Sequence, residues 1–290
     1  MSFLGENPDI AYPLTAAFGL VMGSFLSTVV TRLPARIDWR NRRKAYGFLN
    51  KSDVYDPPPP DVLTGRAHCP QCKATLAWHE RIPLVSYALS GGKCRHCGQP
   101  IGGMYPLLEL LTMALTLFSV WRFGFGWQGF GAMLFGWYLI AASFIDIRHG
   151  LLPDKLTLPL MWLGLVASTD GLFLPAKPAL LGAVGGYVIF WFVGGLFKQL
   201  RGKSGLGRGD YKLLAAIGAW VGVGMLLPTI FLSSVLGLLI GGTVWALKGR
   251  SAADPLPFGP FLALAGLLIF MIGPEHIQIW LWNLRSGLGG

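Results

Sequence analysis

Apolar residues run along this chain in long blocks, not in alternation. The blocks fall at about 14–30, 105–121, 126–145, 156–168, 179–197, 213–227, 230–247 and 258–272. Continuous apolar runs approaching 20 residues read as membrane helices, whereas a membrane β-barrel would alternate with period two. The pattern predicts an all-α polytopic membrane protein of about eight transmembrane helices. One sizeable polar interval interrupts it. The expected organisation is a first transmembrane helix at 1–33, a small soluble domain at 34–103 and a multi-helix membrane domain at 104–290. A proline run, "DPPPP", lies in the soluble part and reads as a stiff spacer.

Composition agrees with the pattern. Hydrophobic residues make up 53% and charged residues 13% of the chain, and the mean hydropathy is +0.52. Soluble domains carry about 25% charged residues. The net charge of +10 therefore bears first on topology. Arg32, Arg36, Arg40, Arg42, Arg43 and Lys44 follow the first block, while Glu6 and Asp9 precede it. Basic loops stay in the cytoplasm, so the N-terminus is expected outside and the 34–103 domain inside. The later basic clusters, including Arg148, Lys198, Arg201, Lys203, Arg208, Lys248 and Arg250, fall on the same side. The N-terminus is acidic where a cleavable signal begins basic, so the first block is expected to stay as an anchor. No aromatic-interleaved basic stripe appears, so the expected partner is the lipid bilayer and not nucleic acid. The oligomeric state is not legible.

All four cysteines lie in the polar interval, as Cys69-Pro-Gln-Cys72 and Cys94-Arg-His-Cys97. Two C-x-x-C pairs at this separation match the spacing of a four-thiolate zinc site. Four thiolates leave no open position for water, so the metal's role would be structural. Disulfides are the rival reading, disfavoured on the reducing side of a membrane.

Acids at the edge of apolar blocks are expensive and are functional candidates by default. Asp146 closes the block "LIAASFI" and Asp210 opens the one that follows "GLGRG". By the topology above, both sit at one membrane depth. Two carboxylates brought together cannot both ionise cheaply, so the pair can activate water and protonate a leaving group. The alternatives stay open here: Asp146 paired with Arg148, and Asp210 as a helix cap. Asp154 reads as the N-cap of the next helix and as support for the pair. Gly205, Gly207 and Gly209 make the approach to Asp210 permissive, and Lys212 would tune a nearby acid or reach the interface.

In chain order, several stretches resemble those of one family, the bacterial type IV prepilin peptidases, or leader peptidase/N-methyltransferases. They are "GSFLSTVVTRLP", the tetracysteine segment from His68 to Leu110, "FIDIRHGLLPDKLTLPL", "GRGDYKLLAAIGAWVG" and "PFGPFLALAG". Ser27 stands where the family's first signature has Asn. The resemblance implies a GxGD-type aspartyl membrane protease with Asp146 and Asp210 as its catalytic pair. Such an enzyme removes short basic leaders from type IV prepilins and type II secretion pseudopilins at the cytoplasmic face of the bacterial inner membrane. The resemblance also implies N-methylation of the new terminus by S-adenosyl-L-methionine, with Gly23, Arg32 and Glu109 as candidate residues. The other readings are a peptidase without methyl transfer, an ion- or proton-coupled transporter, and a non-catalytic scaffold.

Overall fold

The computed structural model describes residues 7–49, 56–65, 67–69, 71–202, 207–243, 257–274 and 276–277. The expectations placed on Glu6, Lys203, Gly205, Lys248 and Arg250 lie outside the described residues. The chain forms two compact units, Met1–Gly126 and Trp127–Gly290. Helices account for the regular structure among the described residues, and no strand longer than an isolated bridge occurs. The protein is a multi-pass α-helical membrane protein.

In the first unit, helix α1 (Pro8–Phe48) begins with a proline in its first turn, where a missing N–H costs nothing. It outruns its apolar block. Its 41 residues rise about 60 Å, twice a bilayer core of about 30 Å. The stretch after Pro34, expected as loop, stays helical because later residues tie it down. Trp39 donates to the Asp56 carbonyl at 2.7 Å. Arg36 meets Asp61 at 3.2 Å, and Arg42 meets Asp56 at 3.3 Å. A 3₁₀ turn (Trp78–Arg81), short helix α2 (Val85–Leu89) and helix α3 (Met104–Phe123) follow. Helices α1 and α3 pack backbone to backbone: a methyl on Gly19 would lie 2.8 Å from the Met113 Cα, and one on Gly23 2.6 Å from the Glu109 Cα. Small residues permit such close membrane helix contacts.

The second unit contains α4 (Trp127–His149), α5 (Asp154–Thr169), α6 (Ala176–Arg201), α7 (Arg208–Val221), α8 (Leu226–Leu236) and α9 (Gly259–Ile272). A 3₁₀ turn (Val223–Met225) leads into α8, and a π-turn (Gly237–Gly241) leads out of it. Five helical stretches are long and apolar enough to cross a membrane: α1, α3, α4, α6 and Val223–Gly241. Helices α5, α7 and α9 have 16, 14 and 14 residues. They align with expected spans but fall short of a full crossing. Helix α7 is the inner element, with every residue from Leu213 to Val221 buried, and it packs against α5, α6 and α9. Helix α6 instead exposes Leu180, Val184, Val188 and Trp191, as a lipid-facing helix does.

An aromatic cluster closes the core. Phe135 of α4 lies 4.6 Å from Phe270 of α9 and 5.1 Å from Trp220 of α7, measured between ring centroids. Trp220 donates its buried indole N–H to the Leu160 carbonyl at 2.8 Å. At the α6–α7 crossing, a methyl on Gly182 would overlap the Gly218 carbonyl oxygen and lie 2.8 Å from its carbon and 2.9 Å from the Gly222 carbonyl carbon. Backbone cannot rotate away as a side chain can. Gly182→Ala is therefore expected to cost stability at the upper end of the ~1–3 kcal/mol typical of overpacking, read as a lowered Tm in detergent. Gly195→Ala, on the same helix with open space around it, should not lower Tm, because Ala is the better helix former.

Candidate functional site

Asp146 lies in the last turn of α4, and Asp210 is the third residue of α7. The fold brings both into the second unit's interior at 6% and 8% exposure, close enough to interact electrostatically. Each carboxylate accepts one backbone amide on its Oδ2: Gly259 donates to Asp146 at 3.1 Å, and Gly207 to Asp210 at 3.1 Å. Asp146 thus meets the start of α9. Gly207, not Asp210, is the N-cap of α7. Asp210 holds that cap's N–H from the third helical position, a recognised way of satisfying an orphan donor.

The glycines before Asp210 serve by lacking a Cβ. Gly207 has ordinary angles, φ −73° and ψ 144°, so it makes no use of a glycine's conformational freedom. A methyl on Gly209 would lie 2.6 Å from the Leu152 Cβ, and one on Gly259 2.5 Å from the Asp146 Oδ2 and 3.1 Å from the Leu152 Cδ1. Leu152, buried in the α4–α5 connection, therefore wedges between the two glycines that flank the acids. Sequence reasoning missed both Leu152 and Gly259. The available signal was the Gly-Pro start of "PFGPFLALAG" and an apolar residue in a connection.

Two supporting candidates pair with each other and not with the acids. Lys212 Nζ lies 2.6 Å from Asp154 Oδ1. The N-cap of α5 is Pro153, and Asp154 is the first helical residue, where its charge favours the helix dipole. The bridge ties the amino end of α5 to that of α7.

The cysteines form two turns of the same geometry. Lys73 N–H reaches the Cys69 carbonyl at 3.1 Å, and Gly98 N–H the Cys94 carbonyl at 2.8 Å. The first cysteine of each pair donates onward, Cys69 to Ala74 and Cys94 to Gln99, both at 2.9 Å. Lys73 and Gly98 occupy equivalent positions with φ of 61° and 68°. All four thiols are free, and their sulfurs lie within 4.8 Å of one another. The Cys69 and Cys97 sulfurs are 3.9 Å apart. A tetrahedral ion with metal–sulfur bonds of about 2.3 Å sets its ligands about 3.8 Å apart, so the donor set fits zinc. The amide of Cys72, followed by that of Gln71, holds the Cys69 thiol down at about 7. The Gln99 amide pulls the Cys97 thiol the same way, but burial and the neighbouring thiols outweigh it and raise Cys97 to about 11. Four thiols cannot all ionise side by side without a cation among them.

The remaining candidates gather in the first unit. Arg32 donates to the carbonyls of Asp61 and Gly65, both at 2.7 Å. Glu109, 8% exposed, accepts the Leu84 N–H at 2.8 Å. Gly23 packs on the Glu109 backbone, as described above. Arg32 and Glu109 line one cavity.

Residues 133–242 match the model of the type IV leader peptidase family, and residues 17–123 match that of the bacterial peptidase A24 N-terminal domain. Relatives named prepilin leader peptidase/N-methyltransferase are similar to this chain along almost its whole length. The Xanthomonas campestris pv. campestris protein is 52% identical over 97% of this chain and 98% of its own. The Pseudomonas aeruginosa protein is 42% identical over 97% of each, and the Neisseria gonorrhoeae protein 40% identical over 93% of each. No solved structure matches the chain.

Proposed function

This chain belongs to the type IV leader peptidase family, and from that premise we infer that it is a membrane-embedded aspartyl endopeptidase acting on type IV prepilins and type II secretion pseudopilins. It removes their short basic leaders and then methylates the new N-terminus. The observation that carries the peptidase reading is the Asp146–Asp210 pair, both buried, within electrostatic reach of each other, and each accepting a backbone amide. Such a pair shares one proton. Asp146 and Asp210 hold a water between them. The carboxylate takes a proton as the water oxygen attacks the scissile carbonyl carbon, and the protonated partner delivers its proton to the leaving nitrogen. No covalent intermediate is needed. Gly259, Gly207 and Leu152 fix the carboxylates, while the Lys212–Asp154 bridge steadies the helix ends.

The charge asymmetry around α1 supports an inner-membrane orientation with the N-terminus outside and the cysteines and aspartates on the cytoplasmic side. There the substrate's apolar helix stays in the bilayer and its basic leader projects to the pair. The deciding experiment is cleavage of a purified prepilin by the purified full-length protein, with both products read by mass spectrometry. An intact prepilin under conditions where a relative cleaves it overturns the reading.

Cys69, Cys72, Cys94 and Cys97 hold one structural zinc, which cross-links the two turns. Metal analysis is expected to find about one zinc per chain. Cys94→Ser, or a strong chelator, should release it and open the 67–101 segment to limited proteolysis. Resistance equal to that of the metal-loaded protein would remove zinc from the account. The methyl donor is S-adenosyl-L-methionine, whose sulfonium supplies the methyl group. A methyl mass on the mature pilin N-terminus is the corresponding readout.

A further inference from the structure

Beyond the catalytic pair, the described residues of the second unit hold two more carboxylates, Asp154 and Asp170. Asp170 caps the far end of α5, about 24 Å along the helix from Asp154. Asp154 stands at the near end. Leu152, two residues before it, wedges between the glycines that flank the acids. Its partner Lys212 lies two residues after Asp210. Two residues of chain reach at most about 7 Å, so Asp154 sits on the rim of the dyad.

Its carboxylate is only half engaged. Oδ1 meets Lys212 Nζ at 2.6 Å, and Oδ2 has no partner among the described residues. The side chain is 56% exposed. An exposed ion pair contributes little to stability, so the bridge alone is a weak use for an acid at this place. The rim around it is cationic. Arg148 ends α4, Lys155 follows Asp154, Lys198 and Arg201 end α6, and Arg208 opens α7; all five are exposed. Helix α6 ends beside the start of α7, since a methyl on Gly194 would overlap the Tyr211 hydroxyl. Such a rim repels a peptide rich in Lys and Arg at every point except Asp154. Like charges brought together disfavour a wrong placement, and one opposite charge fixes the register.

We propose that Asp154 reads the charge of the leader, its open Oδ2 taking the side chain of a Lys or Arg a few residues before the scissile bond. The proposal rests on the peptidase reading above and adds to it the residue that sets where the leader lies. An extended peptide advances about 3.3 Å per residue. A cation within about four residues of the scissile bond therefore reaches the rim while the scissile carbonyl faces the acids. Lys212 keeps Oδ1 and holds the carboxylate in place. A leader shifted along the site brings its cation against the cationic rim, so the pairing selects which bond is cut. Asp154 moves no proton; it acts on substrate binding.

The test measures kcat and KM of the full-length protein in detergent on two purified prepilins. One keeps its basic leader, and in the other the leader Lys or Arg nearest the scissile bond is replaced by Gln. Wild type should show a KM about 3- to 10-fold higher on the neutral leader at similar kcat. Asp154→Asn should raise KM on the basic leader by the same factor and cease to distinguish the two substrates. Asp154→Glu keeps the charge and should distinguish them again. Lys212→Gln breaks the same ion pair but spares the acid, so it should still favour the basic leader. Tm serves as the control for folding. Equal KM on both leaders in wild type overturns the proposal, as does an Asp154→Asn protein that still favours the basic one. Loss of preference in Lys212→Gln to the Asp154→Asn level makes Asp154 a strut between helix ends and overturns it too. A wild type that cleaves neither prepilin defeats the peptidase reading itself, an outcome distinct from these three.

Discussion

Asp146→Asn and Asp210→Asn are each expected to reduce prepilin cleavage by about 10⁴-fold or more, the loss seen when one member of a cooperating catalytic set is removed. Asn matches Asp in shape but cannot carry the proton the reaction moves. The substitution also separates the two roles available to Asp210. Its Oδ2 accepts the Gly207 amide, and an Asn oxygen can accept it as well, so the cap survives while the chemistry does not. Asp210→Ala removes both and should additionally cost about 0.5–2 kcal/mol of stability. The double Asn variant should be no slower than either single one, because the acids act as a unit. Initial rates on a prepilin, with Tm as the control for folding, read all four proteins. Normal processing by Asp210→Asn would end the dyad account.

Gly259→Ala should be the most damaging substitution that leaves every catalytic side chain in place. The new methyl would sit 2.5 Å from Asp146 Oδ2 and 3.1 Å from Leu152 Cδ1. The atom it meets first is the end of a side chain, so the carboxylate turns aside and the backbone stays. Asp146 then loses its 3.1 Å bond from the Gly259 amide and its alignment with Asp210. Displacement of a reacting group by about 1 Å costs roughly 10²-fold in rate. Helix α9 itself should not suffer, because Ala is the better helix former. The expected signature is a ~10²-fold loss of cleavage at unchanged Tm, against no change for Gly242→Ala, where a methyl meets open space. Full activity in Gly259→Ala would show that the carboxylate position does not depend on this contact.

What could be read from the sequence follows from what is costly. An acid at the edge of an apolar block and paired thiols at fixed spacing both need a compensating partner, so Asp146, Asp210 and the four cysteines were legible. The apolar blocks likewise gave the helices of the membrane part. Gly259 was not legible as a site residue, because it acts through a backbone N–H and through the absence of a Cβ. Lys212 sits beside Asp210 in sequence, but its partner Asp154 is 58 positions away, a pairing only the fold creates. The second half of α1 looked like a basic loop. Its helix is held by Asp56 and Asp61, which flank the four prolines, and local pattern does not reveal that.

The three short helices of the second unit have a consequence for the lipid. Helices α5, α7 and α9 start near the acids: Asp154 bridges to Lys212, Asp210 opens α7, and Gly259 opens α9 beside Asp146. Fourteen to sixteen residues rise only about 21–24 Å, against a hydrocarbon thickness of about 30 Å. Helix α7 is enclosed, but α5 and α9 expose Trp162, Val166, Leu268 and Ile272, and lipid beside those two must thin, or headgroups and water must sink to meet them. A dimple several ångströms deep over the amino ends of these helices would hydrate the carboxylates from the bulk. A hydrolase immersed in oil would then draw its second substrate through a deformed membrane surface, with no need of a dedicated channel.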